Sequence, residues 1–262
     1  MMKSKTTLSI SALLACVLFN SAAVAQAKAP VPDYTLAYNV AAYTDYRFRG
    51  IAQTSFKPAL QAGVDFAHKG GFYAGVFASN VSWVKDFNGA SKGSYEIDLF
   101  GGFKGSITEG VGFDVGVITY QYPGNNSGKA GTKGAGLFSN ASTNEVYAGI
   151  TYSVATLKYS RSVGDFLGNL KSSGSQYLDL SANFDLGNGF TLTPHIGRQT
   201  IPNQGGAGDY TDYALTIAKD FGNGLAVSAA AVGTDANKAF YTDGKGRFLG
   251  KSQLVVGVKY SF

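Results

Sequence analysis

The sequence is short of the residues on which exported soluble domains and many enzymes depend. Among 262 residues there is one cysteine, Cys16, and there are two histidines, His68 and His195. A lone cysteine cannot form an intramolecular disulfide, which excludes a staple-dependent scaffold. Two histidines and one cysteine, all far apart, form no metal-ligand pattern, and no cofactor or metal is expected. Proline is scarce at 6 residues and tryptophan occurs once. Beyond the N-terminus no run approaches the roughly 18 apolar residues of a spanning helix. The formal charge of +5 is too mild to imply a nucleic-acid partner, and drops by two if Lys3 and Lys5 are removed.

Those two lysines open a segment with its own logic. Lys3 and Lys5 precede an apolar run from Leu8 to about Phe19, and Ala23-Val24-Ala25 supplies a small-x-small cleavage pattern. Residues 1–25 are expected to be a signal peptide, cut after Ala25 or alternatively after Ala27. Cys16 would leave with it. A lipoprotein reading at Cys16 is weaker, because Leu14 stands where a small residue is wanted. Residues 26–33 form a short polar lead-in, and residues 34–262 the folded domain.

What the chain has instead is 16 Tyr, 18 Phe and 35 Gly at a mean hydropathy near zero. The final stretch shows how they are used. Phe262, Tyr260, Val258, Val256 and Leu254 alternate with Ser261, Lys259, Gly257, Val255 and Gln253. Strand side chains alternate faces, so this is a two-faced strand with one apolar side, running to the last residue. The same period recurs upstream. It predicts strands over 34–49, 58–68, 72–81, 94–105, 111–122, 144–152, 155–163, 175–186, 190–200, 209–221, 225–234 and 248–262. In the first of these the apolar set is Leu36, Tyr38, Val40, Ala42, Tyr46 and Phe48. Pro194 falls inside the ninth, which marks that strand as the least secure pairing.

The connections alternate in length: long and polar after odd strands, a few residues after even ones. A soluble sandwich has no reason to sort its loops this way. An outer-membrane barrel does, with short periplasmic turns and long outer loops. The fold class expected is therefore all-β: a transmembrane antiparallel up-and-down β-barrel of 12 strands, with 10 or 14 as lesser alternatives. Near the short turns Phe66, Phe103, Phe113, Phe184, Phe190 and Phe221 share the apolar register with Phe262, as an interfacial aromatic girdle would.

From Asp45-Tyr46-Arg47-Phe48-Arg49-Gly50-Ile51 onward the sequence resembles the TorF-type porins, a family of proteobacterial outer-membrane proteins. The resemblance runs through residues 71–81, Tyr95-Glu96-Ile97-Asp98, residues 116–124, Glu145-Val146-Tyr147-Ala148-Gly149 and Tyr210-Thr211-Asp212-Tyr213, but not the Lys- and Gly-rich stretch 124–136. It implies location in the outer membrane and a barrel fold. By resemblance to outer-membrane barrels, the terminal alternation with Tyr260 and Phe262 is the signal read by the barrel-assembly machinery.

The polar face supplies the candidate site. Asp45, Arg47, Arg49, Glu96, Asp98, Glu145, Asp179 and Asp212 lie on lumen-facing positions toward the long-loop end, with His195 on the same face. Such charges avoid lipid and tune what passes. They point to a narrow passive channel for small hydrophilic solutes or ions, with a weak cation preference and no enzymatic activity. The alternative is a closed barrel acting as a surface protein, contacting lipopolysaccharide or a partner through Lys129, Lys133, Lys238 and Lys245. A hydrolase would need a serine beside His195, and no nucleophile motif marks one. Gly124 to Lys129 is one residue short of a phosphate loop and joins no helix. Outer-membrane lipids complete the expected partners.

Overall fold

The computed structural model describes residues 32–262; residues 1–25, expected to be a signal peptide, and most of the 26–33 lead-in lie outside them. Twelve antiparallel staves follow one another around a ring. They are β1 (Tyr34–Tyr43), β2 (Ala59–His68), β3 (Phe72–Asn80), β4 (Tyr95–Thr108), β5 (Val111–Gln121) and β6 (Thr143–Tyr152). The second half comprises β7 (Ala155–Ser162), β8 (Gln176–Ala182, continued by Phe184–Gly187), β9 (Phe190–Thr200), β10 (Tyr210–Asp220), β11 (Leu225–Thr234) and β12 (Gln253–Ser261). Each stave pairs with its sequence neighbours, and β1 pairs with β12 from Asn39↔Ser261 to Tyr43↔Gly257. Tyr38 and Phe262 extend that seam by exchanging backbone hydrogen bonds of 3.1 and 3.0 Å. No strand edge is left open, which is what a sheet inside hydrocarbon requires. No described helix is long and apolar enough to cross a membrane; the strands do so instead.

The barrel is inverted relative to a soluble protein. Leu60, Val117, Ile150, Leu178, Leu215 and Val256 project outward and are exposed, whereas Glu96, Asp98, Glu145, Lys158 and Asp212 are buried in the interior. Strand alternation alone produces this sorting. Lipid, not water, is the solvent that makes such an exterior favourable.

Besides a twelfth strand that begins at Gln253 and not at 248, two features differ from the sequence expectation. The first strand stops at Tyr43, not at 49. Residues 44–58 leave the wall and turn back into the mouth, carrying a two-residue ribbon that pairs Arg47 with Ala52 and Phe48 with Ile51. Tyr46 and Phe48, expected on the lipid face, are 5% and 6% exposed inside the barrel. Pro194 does not disturb β9, which pairs with β10 from Phe190↔Lys219 to Gln199↔Tyr210. Its effect falls on the other side. With no N–H to donate, it leaves a gap between the β8 segments, from Ser181↔His195 to Phe184↔Leu192. Asn183 covers the gap: its side chain accepts from the Thr193 hydroxyl at 2.8 Å.

Candidate functional site

The ribbon after β1 is the structural centre of the site. Its two tip residues, Arg49 and Gly50, have φ of 48° and 78°. Positive φ at both central residues is the type I′ arrangement that closes two-residue hairpins with the correct twist. A side chain on Gly50 is also sterically barred: a Cβ there would lie 2.5 Å from Thr234 Cγ2 and 2.7 Å from Asp212 Cβ. Asp45 and Arg47 brace the base. Their ion pair measures 2.6 Å, Thr54 donates to Asp45 at 2.8 Å, and Arg47 donates to the carbonyls of Gly50 and Lys251, each at 2.9 Å. Burial raises the Asp45 carboxyl above its ordinary range, against the opposing pull of Arg47 and Thr54. Asp45, Arg47 and Arg49 are therefore loop residues, not wall residues as the first-strand reading had them.

Arg49 carries the tip across the lumen. Its guanidinium donates to Glu145 on β6 at 2.6 Å and to the Gln199 side chain on β9 at 2.8 Å. It lies 4.2 Å from the ring centre of Tyr177 and 4.8 Å from that of Phe48. Tyr120 adds a hydrogen bond to the same Glu145 oxygen at 3.1 Å. The guanidinium is thus held by a carboxylate, an amide and aromatic faces, the partners it satisfies best.

The other predicted lumen residues flank this contact. Glu96 and Asp98 sit two residues apart on the inner face of β4, both fully buried, and Tyr122 donates to Glu96 at 3.3 Å. Asp179, His195 and Asp212 form a row across β8, β9 and β10. One nitrogen of His195 faces each carboxylate, at 2.6 Å to Asp179 and 2.8 Å to Asp212. Tyr177 completes the row, donating to Asp212 at 2.9 Å. Its ring fits because the neighbouring strand has Gly197, where a Cβ would lie 2.0 Å from the Tyr177 hydroxyl. Among the described residues no serine hydroxyl bonds His195, and no grouping of three or more His, Cys, Asp or Glu side chains is placed to hold a metal.

Sequence reasoning missed Tyr177, Gln199, Tyr120 and Tyr122. Their parity on lumen faces was visible: Tyr177 is two residues from Asp179, Gln199 four from His195, and Tyr120 and Tyr122 six and eight from Asp114. The cross-lumen meeting at Arg49 had no local signal.

Above the plug the long loops close over one another. A helical turn, α1 (Trp83–Asp86), belongs to the loop after β3. Asp86 is gripped by Lys245 at 2.6 Å and Arg247 at 2.7 Å from the loop before β12, and Arg247 also reaches Asp243 at 2.7 Å. Trp83 packs edge-on to Tyr122, with ring centres 5.1 Å apart. A small apolar crevice remains between Phe48, Trp83, Phe87, Phe166 and Tyr241. Toward the short turns the lumen stays polar. Tyr73 donates to Asp114 and meets the Tyr147 hydroxyl, and Lys158 Nζ lies 3.7 Å from the Tyr147 ring centre.

On the outside near the short turns, Phe66, Phe184, Phe190, Phe221 and Phe262 are exposed, while Phe103 and Phe113 half-bury each other at 5.8 Å. Tyr260 lies beside Phe262, with ring centres 6.1 Å apart.

Fold and interior together define a class: a twelve-stranded membrane barrel whose lumen is polar and whose outer mouth is crossed by its own first loop. The chain belongs to the family described as "Bacterial protein of unknown function (Gcw_chp)", whose model matches residues 25–262. No curated protein matches it in sequence. Among solved structures it is similar to the KdgM porin in complex with disordered oligogalacturonate, at 8% identity and a TM-score of 0.54, covering 87% of this chain and 98% of that one. The NanC porin aligns at 10% identity and a TM-score of 0.51, covering 87% and 99%. At such identities the likeness is one of fold.

Proposed function

We propose that the protein is an outer-membrane channel of narrow bore for small hydrophilic solutes or ions, held shut in this conformation by the loop after β1. The observation that carries the reading is the Arg49–Glu145 contact across a polar lumen. A barrel needed only as a wall gains nothing from a charged hairpin suspended inside it. A channel uses such a hairpin as a constriction. Twelve strands lie between side-chain-filled barrels of about 8 strands and open porins of about 16. Carboxylates of Asp65, Glu96, Asp98, Asp114, Asp179 and Asp212 line the interior against fewer basic groups, which favours cations. The KdgM structure with oligogalacturonate supports a solute-conducting role for the architecture, without carrying that solute over to this chain.

The same proposal places the protein among the TorF-type porins and its exterior in outer-membrane lipid, with the short-turn phenylalanines at the periplasmic headgroups. Export would follow removal of residues 1–25; the family match beginning at residue 25 supports that boundary. Assembly would use the barrel-insertion machinery, reading Tyr260 and Phe262.

The test is single-channel recording in planar bilayers. The purified barrel is expected to show small, brief steps, and deletion of residues 46–52 to enlarge them several-fold. A folded deletion variant that never conducts would overturn the channel. It would favour the second reading, a closed surface barrel, for which the interlocked outer loops are the supporting observation.

A further inference from the structure

The wall sorts its charges by sign as well as by face. Among the described strands, every carboxylate falls in the lumen register, whereas the charged residues in the outward register are Arg161 on β7, Arg198 on β9 and Lys219 on β10. Lys219 belongs to the short-turn end, where its Nζ lies 4.6 Å from the Phe190 ring centre. Arg161 and Arg198 belong to the long-loop end and are both exposed.

These two flank one strand. Arg161 pairs with Gln176 of β8, and Arg198 with Leu178 two residues further along. Two strand spacings and two residues of rise separate their Cα atoms by roughly 12 Å. Neither makes an ion pair with a described carboxylate. Arg198 donates to the Thr211 hydroxyl at 3.2 Å, and the Arg161 guanidinium lies over Gly174. The acids of the adjoining loops are engaged elsewhere: Asp235 accepts from the Thr211 N–H, Asp209 from the Ile201 N–H and Asp165 from the Ser172 N–H. Below the pair the outward surface is apolar, with Leu157, Tyr159, Leu178 and Ile196 exposed. An outward charge persists at a membrane wall only where it meets headgroups. A guanidinium matches a phosphate through paired N–H donors.

We propose that the outer face of β7–β9 at the long-loop rim binds a phosphorylated glycolipid of the outer leaflet. Arg161 and Arg198 each take one phosphate, and the apolar strip beneath lies along the acyl chains. The site rests on the outer-membrane reading but not on conduction.

The experiment measures lipid retention by the full folded barrel in detergent using native mass spectrometry. The probes are synthetic lipid A with two phosphates, its dephosphorylated counterpart, and phosphatidylglycerol. Wild type is expected to retain the bisphosphorylated lipid at least tenfold better than either comparator. Arg161→Gln combined with Arg198→Gln should lose that preference, Lys219→Gln should keep it, and heat-modifiable mobility should show all three folded. Equal retention of phosphorylated and dephosphorylated lipid by wild type would overturn the site without any variant. So would equal retention of phosphatidylglycerol, or an undiminished preference in the double variant. A barrel that holds the lipid but passes no current would refute the channel and leave this site standing.

Discussion

Arg49 and Glu145 meet at 2.6 Å although one leaves the wall after β1 and the other stands on β6, far around the ring. Their side chains are 4% and 1% exposed, so the pair sits in a nearly dry setting. Removing one partner of a buried pair leaves the other uncompensated, at a cost of about 3–5 kcal/mol. Arg49→Ala and Glu145→Ala should each lower unfolding stability by an amount of that order and enlarge single-channel steps. The double variant should cost less than the two singles together, because no lone charge remains. Strict additivity in denaturant titrations would show that the contact does not hold the plug.

Gly50→Ala tests the tip without touching a charge. Alanine at φ 78° costs about 1–2 kcal/mol, and its Cβ would overlap Thr234 and Asp212. The hairpin should withdraw, giving larger conductance and faster protease cleavage within residues 44–58. Wild-type conductance with wild-type protease resistance would refute the tight seat inferred for Gly50.

The outer clasp has a defined pH dependence. Partial burial raises the Asp86 carboxyl, but hydrogen bonds and charge from Lys245 and Arg247 outweigh it and hold the group below its ordinary 3.8. A lowered acid contributes stability that is fully present above the ordinary value and lost as pH falls through the lowered one. Hydrogen-exchange protection in the loops after β3 and before β12, corrected for the intrinsic rate at each pH, should therefore stay high from neutral pH to about 4 and fall below it. Arg247→Gln should move that onset upward. An onset unaffected by Arg247→Gln would exclude Asp86 as its source.

Phe262 closes the β1–β12 seam through two backbone hydrogen bonds and a stacked contact with Tyr38 at 5.9 Å. Deleting Phe262 should reduce the amount of heat-modifiable barrel in membranes, while molecules already inserted conduct as wild type does. Equal amounts with and without Phe262 would contradict a role in assembly.

The wall was legible because one period decides everything in it. Residues 190–200 form β9 as the alternation required, and the inward side of Asp179, His195 and Asp212 follows from parity. The plug was hidden by the same regularity. Tyr46, Arg47, Phe48 and Arg49 continue the alternation of β1, and a short hairpin inside the lumen has the same period as a wall strand. Only the Arg49-Gly50 turn distinguishes them, and an Arg at positive φ leaves a faint mark on a sequence. The meeting of Arg49 with Glu145, Gln199 and Tyr177 joins residues far apart in the chain, and no local pattern encodes such distances. The clasp of Asp86 with Lys245 and Arg247 escaped for that reason too.

The plug is fastened at both ends, to β1 at Tyr43 and to β2 at Ala59. It is therefore a ligand that its own receptor never releases. A short tether gives such a ligand an effective concentration on the order of millimolar at its seat. On the channel proposal, a solute pairing with Arg49 or Glu145 would have to compete with that standing occupant.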